Sequence, residues 1–194
     1  MNAALTKNNY FVKEQIGAFK ASNNYDVYDP QTQELIMTCR EENLGIFTKI
    51  LRFSDYKKMT PFDLQIRSSK GELLLRVKRG MSFMFSEVEV FNSDDLLIGY
   101  FKQKFSFGGK FEVLNSSNQL ICTLTGNWKS WEFSFSKDSV EFAKVSKKWA
   151  GIGKEFFTSA DNYMLQVSEK IQNDNPIRQL IVAAVFCIDL VLKE

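Results

Sequence analysis

Leu180 to Ile188 are nine consecutive apolar residues, and Leu190, Val191 and Leu192 follow after a single carboxylate, Asp189. A helix of this sequence is apolar on every side, so it must be buried, either in a protein core or in a bilayer. A bilayer span needs about 20 apolar residues, and runs of about 10–14 more often mark core helices. This run is short and carries an acid, which favours a core helix over a membrane span or a partner-binding helix. Asn175 or Asp174 can cap it, and Pro176 suits its first turn.

The middle of the chain is written in a different period. Phe62, Leu64 and Ile66 alternate with Asp63, Gln65 and Arg67. Leu73, Leu75 and Val77, then Val88 and Val90, then Leu120, Cys122 and Leu124, then Trp131, Phe133 and Phe135 form similar stripes. Period two marks strands with one buried face. Turn residues separate them at Ser68–Gly71, Asn92–Asp95, Gly108-Gly109, Asn115–Asn118 and Lys137–Ser139. Further strands are predicted at Tyr10–Gln15, Tyr25–Asp29 and Glu34–Arg40. Asn43–Lys58 has helical spacing and is predicted to be an amphipathic helix ending before Pro61. About ten strands with one apolar face need a cover, and one wholly apolar helix needs a jacket. A closed or nearly closed barrel around the C-terminal helix supplies both and leaves no free strand edge.

Composition limits the chemistry. At 194 residues, with 44% hydrophobic and 25% charged residues, the chain reads as one soluble domain, 1–194. The absence of histidine excludes Ser-His-Asp and Cys-His catalysis and removes the commonest zinc ligand. Cys39, Cys122 and Cys187 are scattered and form no C-x-x-C pair, which fits buried, reduced thiols. A net charge of +2 gives no strong pull toward nucleic acid, and none is expected as a partner. The N-terminal residues have no signal-like apolar core. The expected location is cytoplasmic.

The stretch Val145–Tyr163 contains Trp149-x-Gly151 followed by Glu155-x-Phe157-Thr158-x-Ala160-Asp161-Asn162-Tyr163. With the closing segment Ala183–Glu194 and its Ile188-Asp189 pair, it resembles the phospholipid scramblase family. That resemblance implies a mainly β, tubby-like closed barrel of about twelve antiparallel strands around a buried hydrophobic helix, shared with the LURP-one-related proteins. It also implies phospholipid binding, transbilayer lipid movement and peripheral contact with the inner face of the plasma membrane. The alternative is a soluble barrel that binds a protein or small molecule and never touches lipid. No catalytic constellation is visible, so no enzyme is expected. The resemblance places a calcium loop on Ser159, Asp161, Tyr163, Leu165, Val167 and Lys170. Calcium takes six or more oxygens, several of them carboxylate, and only Asp161 offers one. Neither metal nor cofactor is expected.

Two features are candidates for contact with an anionic phospholipid surface. Arg76 and Lys78 share a strand face, as do Lys102 and Lys104, and such rows can gather into a head-group patch with Arg79. The competing reading is a solvated strand face balanced by Glu87, Glu89 and Glu112. The loop Gly80–Phe85, with Phe83 and Phe85, is apolar where a loop should be polar, and Phe105 and Phe107 form a second aromatic turn. Such loops can enter a membrane interface. Asp189 is the most unusual carboxylate, and a structural role is expected for it.

Overall fold

The computed structural model describes residues 1–15, 22–42, 45–51, 53, 59–127, 129–147 and 162–193. A short 3-10 turn at Ala3–Leu5 leads into β1 (Asn9–Glu14), β2 (Asn24–Tyr28) and β3 (Leu35–Arg40). A short helix, α1 (Ile46–Leu51), follows. The chain then runs through β4 (Phe62–Ser68), β5 (Leu73–Arg79), β6 (Glu87–Asn92), β7 (Leu97–Lys104), β8 (Lys110–Asn115) and β9 (Leu120–Asn127). β10 (Glu132–Lys137), β11 (Val140–Ser146) and β12 (Asn162–Val167) precede α2 (Ile177–Ile188), which continues as a π-turn over Asp189–Lys193. Every strand pairs antiparallel with its sequence neighbours, and β1 pairs with β12, so the sheet is a closed twelve-stranded barrel.

The period-two stripes set the inside of the wall. Leu64, Ile66, Leu75, Val77, Val88, Val90, Phe101 and Leu124 are all fully buried. Their cross-strand partners share their direction: Leu64 faces Val77, and Val77 faces Val90. α2 fills the space they enclose, and Ala183, Ala184, Cys187 and Ile188 have no exposed surface. Its twelve residues and the five of the π-turn rise about 25 Å at about 1.5 Å per residue. An eight-residue strand such as β7 is of similar length at about 3.3 Å per residue, so helix and barrel match in height. Gly99 lets the wall and helix approach: a Cβ there would lie 3.1 Å from two Leu180 methyls and 2.3 Å from the Leu114 carbonyl oxygen.

The two ends of the barrel differ because the sheet is up-and-down. β1, β3, β5, β7, β9 and β11 all finish at one end, and α2 enters from the other. At the entry end the connections are short turns. Asn175 accepts a hydrogen bond from the Ile177 amide, so of the two expected caps it is Asn175 that acts. Arg178 is buried there, and its guanidinium donates to the carbonyls of Ile171, Gln172 and Lys7 and to the Asn8 side chain at 2.7–2.9 Å. The charge is thus held entirely by carbonyl oxygens. The sequence reading overlooked it, although an arginine two residues after a helix-opening proline in an apolar helix was the available signal.

Two expectations need adjustment. Of the helix predicted over Asn43–Lys58, the described part is α1, and 43–44, 52 and 54–58 lie outside the described residues. Trp131, expected to open a strand stripe, sits before β10 with φ 53°. In that turn conformation its ring leaves the strand alternation and packs on Tyr163, 5.0 Å between centroids.

Candidate functional site: an aromatic rim at one end of the barrel

The rim is built by the connections at the end where α2 finishes. Residues 80–86 join β5 to β6, and residues 105–109 join β7 to β8. Because β6 pairs with β7, the two loops are neighbours, and Gln103 at the foot of one donates its amide to the Ser86 carbonyl of the other at 2.8 Å. Neither loop contains a charged residue. Phe107 is 94% exposed, Phe83 78%, and Met81, Met84, Phe85 and Phe105 also face out. Phe105 and Phe107 meet edge to face at 5.7 Å. Ile50 and Phe53 are exposed in the β3–β4 connection, which touches the 80–86 loop where the Ser82 amide donates to the Met59 carbonyl at 3.2 Å. Every exposed phenylalanine among the described residues stands at this end. Ile50 lies within the segment predicted to be an amphipathic helix, and nothing in the sequence pattern marked it as exposed.

Arg79 does not stand among the exposed cations. It is 4% exposed, because the alternation that buries Leu75 and Val77 leaves it on the inward face of β5, opposite Phe62. Its guanidinium lies 4.8 Å above the Phe62 ring and donates to the Thr60 carbonyl at 2.5 Å and the Ser86 hydroxyl at 3.2 Å. Thr60 and Ser86 are the feet of the two connections, so Arg79 fastens them together rather than reaching for a head group. The expectation that it contacts lipid is corrected accordingly.

The remaining basic positions lie on the outer wall, and the register alternates their sign. Lys78 is paired between Asp63 and Glu89, and Lys102 between Glu87 and Glu112. Arg76 makes a bidentate contact to Asp63 at 2.7–2.8 Å and reaches Asp95 at 3.3 Å. Lys102 lies 3.4 Å from Glu87, and Lys104 lies 3.0 Å from Glu112. Lys78 rests over the Phe91 ring at 5.7 Å. The rows are therefore ladders of opposite charge running round the barrel, not one basic patch.

The described positions of the degenerate calcium-loop match have structural surroundings. Ser159 and Asp161 lie outside the described residues. Tyr163, Leu165 and Val167 are inward-facing members of β12, and Lys170 is exposed in the turn that follows. Tyr163 has another partner: its hydroxyl donates to Asp189, as does that of Tyr25 at 2.5 Å. Burial, followed by the charge of Asp189, raises the Tyr25 hydroxyl well above its ordinary value. Asp189 is 2% exposed, so the one acid of the apolar helix is bound to two strands of the wall. Just beyond it, Leu192 packs where a Cβ on Gly109 would lie 2.6 Å away. The helix thus closes the barrel directly beneath the aromatic rim.

Fold and rim together define a closed antiparallel barrel plugged by its own C-terminal helix, with apolar loops presented at the end where the helix stops. The Scramblase family model matches residues 6–194, and the chain belongs to that family. It is 21% identical to human phospholipid scramblase 2 over 93% of this chain and 64% of that protein. It is 22% identical to a phospholipid scramblase family protein of Schizosaccharomyces pombe, over 86% and 46%. To human phospholipid scramblase family member 5 it is 24% identical, over 68% and 54%. The chain thus spans from about half to just under two thirds of the length of these relatives. No solved structure matches it.

Proposed function

We propose that this Scramblase-family barrel is a peripheral phospholipid-binding protein that engages a membrane surface through the rim loops. The observation that carries this is the exposure of Phe83, Phe85, Phe105 and Phe107 in two adjoining, uncharged loops. A monomer rarely leaves a contiguous aromatic group in water without a use for it. Lys104 and Lys110 at the strand ends below one loop supply local positive charge, each cation near an anionic surface being worth about 1 kcal/mol. Arg76, Lys78 and Lys102 sit farther down the wall in charge ladders and play a smaller part.

Transbilayer movement of lipid is implied by the relatives' names, and it needs a polar route through apolar thickness. The filled interior of the barrel argues for binding at the surface rather than passage through the barrel. Among the described residues, no helix is long and apolar enough to cross a membrane. The sign alternation on the wall favours a second reading, in which the rim receives a protein.

Co-sedimentation with vesicles of neutral and of anionic phospholipid separates the two. The lipid reading expects sedimentation with anionic vesicles, reduced at high salt. A chain that stays in the supernatant with both, even at low salt, sinks it and leaves the protein partner.

A further inference from the structure

Charge is distributed along the barrel axis as well as around it. The end where α2 enters exposes Glu34, Glu72, Asp94, Asp95, Asp138 and Glu169, with Asp174 beside them and Lys7, Lys70, Lys137 and Lys170 as the opposing cations at that end. The other end presents the uncharged aromatic loops, with Lys13, Lys104, Lys110, Lys129 and Lys147 at nearby strand ends and Glu14, Glu41, Glu42, Glu87 and Glu132 as the neighbouring acids. Lys147 lies 4.2 Å over the Trp131 ring, an ammonium carried on an aromatic at the same end. The two ends are separated by strands of six to eight residues, about 20 Å. That is more than two screening lengths of about 8 Å, so each end meets a charged surface independently.

We infer that the barrel docks end-on to an anionic bilayer, with its axis near the membrane normal, the aromatic rim inserted among head groups and the acidic turns directed away. This rests on the lipid-binding reading above and adds its geometry. Three observations act together. The aromatic side chains gain by leaving water only if the rim end enters the interface. The acidic end is repelled by anionic head groups. On the wall from β4 to β8 the charges are paired across the strands, and laying that face flat on the surface would bring Asp63, Glu87, Glu89 and Glu112 as close to lipid phosphate as their lysine and arginine partners. The geometry also places the α2 terminus, at Leu190–Leu192, immediately under the membrane-facing rim, and Arg178 at the far pole.

Depth-resolved fluorescence on the full chain tests this. A thiol-reactive, polarity-sensitive dye is attached at Ser106→Cys on the rim, Ser134→Cys on the wall or Ser116→Cys in a turn of the acidic end. The native Cys39, Cys122 and Cys187 are buried, and burial pushes the Cys122 thiol up to about 12, so labelling near neutral pH is selective. Vesicles of phosphatidylcholine with and without phosphatidylserine are the probe. The expected result is a blue shift and at least a threefold loss of iodide quenching at Ser106 on the serine-containing vesicles, with labels at Ser134 and Ser116 unchanged. Protection of Ser134 or Ser116 in protein that does co-sediment overturns the end-on geometry and leaves lipid binding standing. Failure of the unlabelled protein to co-sediment overturns both.

Discussion

The Tyr25 hydroxyl donates to the carboxylate of Asp189 at 2.5 Å across 164 residues of sequence, joining the second strand of the wall to the end of the central helix. Tyr163 donates to the other carboxylate oxygen, so both tyrosines are wall residues from strands that flank β1. The charge is buried and each hydrogen bond to it is charge-assisted, the stronger kind. Tyr25→Phe should therefore lower the unfolding free energy by about 1.5–3 kcal/mol. The loss for Tyr25→Phe with Tyr163→Phe should differ from the sum of the single losses, because the two share one acceptor. Urea denaturation of the four proteins measures both, and a neutral Tyr25→Phe contradicts the role given to Asp189.

Arg79 and Lys102 separate fold from surface. Arg79→Glu places a second acceptor against the Thr60 carbonyl and removes the cation from the Phe62 ring, and breaking a buried charged contact costs about 3–5 kcal/mol. Lys102→Glu alters a half-buried ladder position on the outer wall and should cost about 1 kcal/mol or less. Thermal melts distinguish them. Equal and small shifts in Tm show that Arg79 does not fasten the rim.

Much of the barrel was readable in the sequence, because both of its signals are periodicities. Leu64, Val77 and Val90 stand at alternate positions and do line one face. Leu180–Ile188 has no polar side and does lie inside. The closing contact, β1 on β12, was legible only as a requirement of the apolar helix, and the number of strands came from the resemblance to scramblases. What pattern could not supply is the pairing across strands. Lys78 and Lys102 look like members of basic rows until the register sets each between two acids. Arg79 follows Lys78 and looks like surface, yet strand alternation turns it inward. Phe83, Phe85, Phe105 and Phe107 were visible as apolar residues in loops, while their meeting at one end depends on the up-and-down topology. Arg178 was hidden because only folding brings the carbonyls of Lys7, Ile171 and Gln172 to its guanidinium.

Removal of Leu180–Glu194 should abolish cooperative unfolding. A single buried leucine truncated to alanine costs about 2–5 kcal/mol, against a typical total stability of about 5–15 kcal/mol. The deletion empties the whole interior. A truncated chain that remains soluble and melts in one sharp transition contradicts the plug role of α2.

Asp29 gives the fold a defined response to acid. It pairs with Lys7 at 2.9 Å and accepts the Gln31 and Thr32 amides. The hydrogen bond from Lys7, opposed in part by burial, holds its carboxyl below the ordinary 3.8. A depressed native value means that its stabilisation is present above the unfolded-state value and is lost as pH falls through the native one. Asp29→Asn keeps the turn acceptor and removes the charge. Its Tm should lie below that of the wild type at pH 7 and converge with it well below pH 3.8. A gap that stays constant with pH contradicts the ion pair.

The aromatic rim is tested most directly by vesicle flotation of Phe83→Ser with Phe107→Ser beside the wild type, at low and at physiological salt. Both side chains are exposed, so the melting temperature should hardly change. Burying one phenylalanine is worth about 1.5–3 kcal/mol when complete, so partial insertion of two should carry at least tenfold in partitioning. The expected result is that loss on phosphatidylserine-containing vesicles, of the same size at both salt concentrations because the lost contribution is not electrostatic. Flotation indistinguishable from that of the wild type contradicts the assignment of the rim as the lipid-binding surface.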